Sequence, residues 1–130
     1  VAAVRGVCGG AFEKLLTEYE EREYTDAVLN GLKHTLSEGK DLVLGGVKYV
    51  KERGGQYMDL VGRKLVDSAV AVIIGHLFLR QALASERKRA VARRFIETSA
   101  SAIRRDITLV CSGDESATQQ FELLAGPPNS

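Results

Sequence analysis

The chain has 130 residues, of which 45% are hydrophobic and 27% charged, and its formal net charge is +1. This length and balance suit one domain with a core of its own, and the small net charge excludes a strong overall field that would attract nucleic acid or anionic lipid. The most apolar window, Ala69 to Leu79, has 11 residues, well short of the roughly 20 that a membrane-spanning helix needs, so no transmembrane helix is predicted.

Proline, the residue that most reliably breaks helices, occurs only at Pro127 and Pro128. This favours long helices over a multi-stranded sheet. We predict an all-α fold, an up-and-down four-helix bundle with long helices in residues 1–113, followed by a short, partly ordered tail in residues 114–130. Because the first residue is Val and no signal-type segment follows, we expect the chain to be a fragment of a longer protein.

The first predicted helix runs from Ala3 to Glu23. Gly9 and Gly10 weaken its first half by about 1 kcal/mol each relative to Ala. Its apolar residues recur at steps of three or four, the spacing of one helical face: Val4, Cys8, Ala11, Leu15 and Tyr19. Cys8 and the distant Cys111 are too few and too far apart for a CxxC or zinc pattern, so we interpret both as buried, reduced thiols.

The second predicted helix is capped by Thr25 or Asp26 and runs to about Arg53. Its predicted core stripe is Leu29, Leu32, Leu36, Val43, Val47 and Val50. Glycines lower its intrinsic helix propensity, so it must be stabilised by packing, and they favour a break or kink near Ser37 to Lys40; these glycines are Gly31, Gly39, Gly45 and Gly46.

The third predicted helix, Tyr57 to Leu83, follows a stop at Gly54 and Gly55. It is apolar on nearly every side, which is typical of a helix enclosed by others. One face carries Met58, Val61, Leu65, Ala69, Val72, His76, Leu79 and Leu83, and a second carries Val66, Val70, Ile73 and Leu77. Four helices need not cover both faces, so we expect one to be left for a partner.

The apolar residues of the third helix are interrupted by Asp67, His76 and Arg80. His76 lies within an apolar stripe, and no ExxH pattern accompanies it while His34 is distant, so we interpret it as a core or interface histidine rather than a metal ligand. Asp67 is interpreted as a partner in an ion pair with Arg63 or with the surroundings of Arg80, rather than as a catalytic carboxylate.

The fourth predicted helix is capped by Ser85, runs to about Ser112 and ends at Gly113. Its core stripe is Ala92, Ile96, Ser99, Ile103, Ile107 and Val110. The tail beyond it has one short apolar patch, Phe121 to Ala125, through which it would dock.

Two clusters of opposite charge flank the bundle. Residues 80–94 contain six basic side chains and one acidic, and residues 13–26 contain six acidic side chains and two basic. In an up-and-down bundle both lie at the same pole. We expect them to neutralise each other, with some salt bridges between molecules; the alternative is a phosphate-binding patch at Arg87 to Arg94, although aromatic residues for base stacking are missing there.

One long segment resembles a known family. The sequence YMDLVGRKLVDSAVAVIIGHLFLRQALASERKRAVARRFIE, Tyr57 to Glu97, resembles the extra C-terminal helical domain of certain bacterial acyl-CoA dehydrogenases, and the resemblance extends over Thr25 to Gly113. It implies a parent flavoenzyme that binds FAD, abstracts the alpha proton of a fatty acyl-CoA with a glutamate and passes a hydride to the flavin. No segment of the chain matches the family's flavin-binding or catalytic-base motifs.

We therefore expect no catalytic, cofactor-binding or metal-binding residue in this chain. The resemblance implies a non-catalytic domain of a cytoplasmic enzyme, with the catalytic core of the parent chain and a second copy of the protein as its partners. The alternative reading is a stand-alone helical regulatory module that binds nucleic acid or an acidic partner through Arg87 to Arg94.

Overall fold

Three long helices form the frame of the fold, and a short helix packs on two of them. A computed structural model describes residues 10–112, and within that range no residue is in a strand. The helices are α1 (Ala11–Glu20), α2 (Ala27–Arg53), α3 (Gly55–Gln81) and α4 (Glu86–Cys111). The predicted all-α four-helix bundle is confirmed. Residues 3–9 of the first predicted helix, with Cys8, and the predicted tail at 114–130 lie outside the described residues.

The helix boundaries follow from local chemistry. Asp26 caps α2, because its Oδ1 accepts hydrogen bonds from the backbone N–H groups of Val28 at 2.7 Å and Leu29 at 3.2 Å. Gly54 alone connects α2 to α3 and has φ of 97°, a conformation that favours glycine. Ser85 Oγ accepts a hydrogen bond from the Lys88 N–H at 3.2 Å. The predicted caps at Asp26 and Ser85 are therefore confirmed, and α2 runs unbroken past Ser37 to Lys40.

Glycines set how closely the long helices approach. A Cβ on Gly39 would lie 3.3 Å from Val72 Cγ2 of α3, and a Cβ on Gly46 would lie 3.0 Å from Leu65 Cδ2 of the same helix. These two glycines thus let α2 and α3 pack tightly. Gly45 faces open space, and nothing in the described packing explains why it is glycine.

The core consists of two clusters that follow one another along the bundle. The larger cluster contains Phe12, Leu16, Val43, Val47, Val50, Tyr57, Val61, Leu65, Ala69, Val72, Ile103, Ile107 and Val110. The smaller cluster, at the pole of the α3–α4 turn, contains Tyr24, Leu29, Leu32, Leu36, Leu79, Ala82, Ala92 and Ile96. The predicted core stripe of α2 is buried throughout, as is that of α4 apart from the half-buried Ser99.

The predicted core face of α1 is wrong by one position. Phe12 and Leu16 are buried, whereas Ala11 is exposed and Leu15 is half-buried. Tyr19 belongs to both possible stripes and is half-buried. The aromatic ring of Phe12 has far more apolar surface to remove from water than the methyl group of Ala11, so its burial stabilises the helix more.

The two apolar faces of α3 differ in burial. The first predicted face is buried from Val61 to Leu79, while Leu83 lies beyond the helix end and is exposed. On the second face Val66 and Ile73 are half-buried, and Val70 and Leu77 are exposed. The prediction of a helix enclosed on nearly every side therefore holds for one face, and the described helices leave the other partly uncovered.

Candidate functional site

A small polar cleft opens where the end of α1 meets the last turns of α3. Its volume is about 180 Å³, and it is lined by Glu18, Tyr19, Arg22, Tyr24, His76 and Arg80. The chain brings these side chains together because residues 21–26 turn back at the end of α1, which places Tyr24 in the smaller core cluster beside Leu79. The cleft therefore lies at the pole where the acidic and basic segments were predicted to meet.

His76 forms the buried wall of this cleft. The residue is 2% exposed, its Nε2 has no hydrogen-bond partner among the described residues, and its ring packs on that of Tyr19. The pKa of His76 is lowered to about 4, chiefly by burial; Glu20 opposes this shift, and Lys33 and Lys40 add to it. The imidazole is therefore neutral near pH 7, as the interpretation of a core histidine requires.

An ion pair links the end of α1 to α2. Lys40 Nζ lies 2.9 Å from Glu20 Oε2, and both side chains are largely shielded from solvent. The other carboxylate oxygen of Glu20 is buried and has no hydrogen-bond partner among the described residues. Sequence reasoning missed this pair, because Glu20 was grouped with the other acidic residues of its segment and expected to face the basic cluster.

Two arginines act on the hydroxyl of Tyr24. Burial raises the pKa of the Tyr24 phenol, and the positive charges of Arg22 and Arg80 oppose that rise. Arg22 comes from the α1–α2 connection and Arg80 from the end of α3, and both side chains line the cleft. Neither forms an ion pair with a carboxylate in residues 10–112. In the sequence Arg80 stands out as an interruption of the third helix, but no pattern there relates it to Arg22 or Tyr24.

The two charged segments meet at one ion pair. Arg89 of the basic segment pairs with the Asp26 carboxylate, so the prediction that the segments share a pole is confirmed. Arg93 instead pairs along its own helix with Glu97 at 3.0 Å. Arg87, Lys88 and Arg94 are exposed and have no ion pair within the described range. Mutual neutralisation is therefore partial.

Other candidate groups from the sequence stand apart from the cleft. Asp67 is exposed and forms no ion pair with any described residue, so its predicted pairing is wrong; it lies on the outward side of α3. Cys111 is an exposed free thiol rather than a buried one, because the helix turns Ile107 and Val110 toward the core, and partial burial raises the pKa of that thiol. Within residues 10–112, no group of His, Cys, Asp or Glu is arranged to hold a metal ion.

An apolar stripe on α3 is the second candidate site. We call the side chains of Val66, Val70, Ile73 and Leu77 the α3 stripe. Val70 is 44% exposed and Leu77 40% exposed, and the inner edges of Val66 and Ile73 rest on the larger core cluster. Across the described helices, no segment is long and apolar enough to cross a membrane. The stripe is thus a partly uncovered side of a bundle helix.

Comparison with known proteins gives a consistent result. The family model described as Acyl-CoA dehydrogenase C terminal matches residues 8–115. The crystal structure of the acyl-CoA dehydrogenase family protein from Porphyromonas gingivalis superposes with a TM-score of 0.76 at 23% sequence identity, covering 85% of this chain and 96% of that one. At this identity the structural likeness shows a shared fold. No curated protein matches the chain.

Proposed function

Because the chain belongs to the family of acyl-CoA dehydrogenase C-terminal domains, we propose that it is a non-catalytic domain of such an enzyme. In this proposal the domain packs against the catalytic core of the parent chain or against a second copy, and so stabilises the oligomer or shapes one side of the acyl-CoA entrance. The parent is a cytoplasmic oxidoreductase that uses FAD, as the family implies.

The cleft beside His76 does not fit a flavin. The cleft beside His76 holds about 180 Å³, below the roughly 300–1,000 Å³ of pockets that enclose drug-sized ligands, and FAD is larger than those. The α2–α3 connection is one glycine and provides no phosphate-binding loop. FAD, and the redox chemistry that it supplies, therefore belong to the catalytic core of the parent in this proposal.

The α3 stripe is the observation that carries the packing role. Val70 and Leu77 lie two turns apart on one face, and both are exposed while the opposite face of the same helix is buried. Covering this stripe would remove apolar surface from water at about 25 cal/mol per Å². A domain that stood alone would gain nothing from this arrangement, whereas a domain docked on a neighbour would.

The test introduces Val70→Glu and Leu77→Glu together into the parent enzyme. We expect the pair to weaken oligomer assembly in sedimentation, or to raise the KM for acyl-CoA, because two carboxylates would then face an apolar interface. Leu109→Glu is the matched control, since Leu109 is 46% exposed on α4. The packing role is wrong if deleting the whole domain changes neither assembly nor kinetics and the isolated chain is monomeric at high concentration.

A second candidate is the stand-alone module that binds nucleic acid or an acidic partner. The observation in its favour is that Arg87, Lys88 and Arg94 are exposed without ion pairs in the described part of the chain. Binding to duplex or single strands should then fall steeply with salt. Reversing the charge at Arg93 and Arg94 should abolish it, while the Val70 and Leu77 substitutions should leave it intact.

A further inference from the structure

We propose that the cleft between α1 and α3 binds a phosphate group, held by the Arg22 and Arg80 guanidinium groups and the Tyr24 hydroxyl. This site does not depend on the packing role above. The phosphate is either free in solution or carried at the end of a nucleotide, and both present the same oxyanion chemistry.

The first argument is the unmatched positive charge. Arg22 and Arg80 come from different elements, and both line this cleft. Neither guanidinium has a carboxylate partner in residues 10–112, although Glu18 lines the same cleft. An anion bound in the cleft would be attracted to both arginines.

The second argument is a buried polar atom without a partner. His76 is 2% exposed, and its Nε2 has no hydrogen-bond partner among the described residues. Buried polar atoms are ordinarily hydrogen-bonded. The Tyr24 side chain lines the same cleft, and a phenol hydroxyl can donate a hydrogen bond. An unpartnered nitrogen beside two arginines and a phenol therefore indicates a site that is completed by something from outside the fold.

The volume of the cleft and the shape of its donor groups indicate which class of ligand it binds. A volume of about 180 Å³ is well above the roughly 10–15 Å³ that one water molecule requires in the same measure, but it is too small to enclose a whole nucleotide. A guanidinium presents its N–H donors as a planar fork that matches the oxygens of phosphate. Two such forks and a phenol suit a dianion with several oxygens better than a single carboxylate.

The test is a titration of the ¹⁵N-labelled 130-residue chain with inorganic phosphate, at an ionic strength held constant with sodium chloride and followed by NMR. We expect saturable shifts confined to amides near residues 22–24 and 76–80. Arg22→Gln and Arg80→Gln should each weaken binding about tenfold, since a charge-assisted hydrogen bond contributes roughly 1.5–3 kcal/mol. Tyr24→Phe should give a smaller loss with the ring still buried.

Arg63→Gln is the matched control, because Arg63 is exposed on the same helix outside the cleft. It should bind phosphate as the wild type does, and unchanged spectra elsewhere report that each variant is folded. Adenosine 3′,5′-bisphosphate that binds more tightly than inorganic phosphate identifies a nucleotide as the carrier, and equal affinity identifies free phosphate. Shifts that do not saturate, an equal loss in Arg63→Gln, or equally tight binding of acetate would each overturn the proposal.

Discussion

The aromatic ring of Tyr19 packs against the imidazole of His76, with ring centroids 5.5 Å apart and planes tilted by 33°. The next residue, Glu20, forms the ion pair with Lys40 of α2. Because these are the last two residues of α1, the end of the short helix is fixed to α2 and α3 at one point. His76 is enclosed by this contact, so a proton can reach its Nε2 only at the cost of placing a charge in the interior.

Acid should therefore destabilise the fold through His76. Its pKa is about 4 in the folded chain and about 6.5 when unfolded, so the unfolded state binds more protons between these values. The stabilisation that the neutral His76 provides is fully present above pH 6.5. It falls as the pH drops toward 4, and about 2 kcal/mol of it is lost at pH 5. We expect His76→Leu to lose this pH dependence of the urea midpoint between pH 7 and 5.

Two controls separate the effect of His76 from that of its charged neighbours. Glu20, Lys33 and Lys40 also face the imidazole, so the difference between the two pH curves, rather than either curve alone, measures the histidine. His34→Gln removes an exposed histidine of α2 and should leave the acid sensitivity of the wild type in place. Parallel curves for the wild type and His76→Leu would show that the buried imidazole does not resist protonation.

The close approach of helices at Gly75 predicts that replacing this glycine with Ala destabilises the fold, whereas the same replacement inside a helix ordinarily stabilises it. A Cβ at this position would overlap Leu36 Cδ2 and lie 3.4 Å from Ile96 Cγ1, and both of those residues are buried. Overpacking a core costs about 1–3 kcal/mol, which exceeds the gain of about 1 kcal/mol from replacing a helical glycine with Ala. Gly75→Ala should therefore lower the free energy of unfolding in urea.

Gly45→Ala is the control for this effect. Gly45 is also inside a helix, but a Cβ there would meet nothing within 4 Å. The substitution should raise the free energy of unfolding by about 0.5–1 kcal/mol, through helix propensity alone. If Gly75→Ala were as stabilising as Gly45→Ala, the close packing of α2, α3 and α4 at that level would be disproved.

The buried side of a helix could be predicted from the sequence where that helix has one apolar face. The core stripes of α2 and α4 were predicted because polar residues fill the other sides of those helices, which leaves a single way to bury them. In α1, Ala11 and Phe12 are adjacent, as are Leu15 and Leu16, so two stripes fit the same spacing. In α3 both faces are apolar, and only the positions of its neighbours decide which is covered.

The cleft could not be predicted from local patterns in the sequence. His76 was recognised as unusual because it interrupts an apolar stripe, but its neighbours Arg22 and Tyr24 lie in a connection far away in the chain. No periodicity relates residues in a loop to residues on a distant helix. The pairing of Glu20 with Lys40 was missed for the same reason, since each residue has nearer partners in sequence.

Asp26 has two roles that substitution can separate. One carboxylate oxygen caps α2, and the other pairs with Arg89. Asp26→Ala removes both and should cost about 1–2 kcal/mol, chiefly through the lost cap. Asp26→Asn keeps a capping oxygen and should cost less than 1 kcal/mol, since partly exposed ion pairs contribute little. Equal losses in thermal unfolding of the two variants would assign the stabilisation to the ion pair instead.

The hydroxyl of Tyr57 satisfies a carbonyl at the end of α4. It donates a hydrogen bond to the Val110 carbonyl oxygen at 2.5 Å within the core. The last carbonyls of a helix have no partner within that helix, so without the hydroxyl this one would be buried and unsatisfied. Tyr57→Phe should lower the free energy of unfolding by about 1–3 kcal/mol.

Tyr49→Phe provides the matched comparison for this effect. The Tyr49 hydroxyl accepts a hydrogen bond from Arg53 Nη1 at 3.3 Å in an exposed setting, where water can replace it, so its loss should change the free energy of unfolding by less than about 0.5 kcal/mol. Urea titrations of both variants measure the difference. A Tyr57→Phe protein as stable as Tyr49→Phe would mean that the end of α4 finds another donor, and the link between the start of α3 and the end of α4 would then be apolar packing alone.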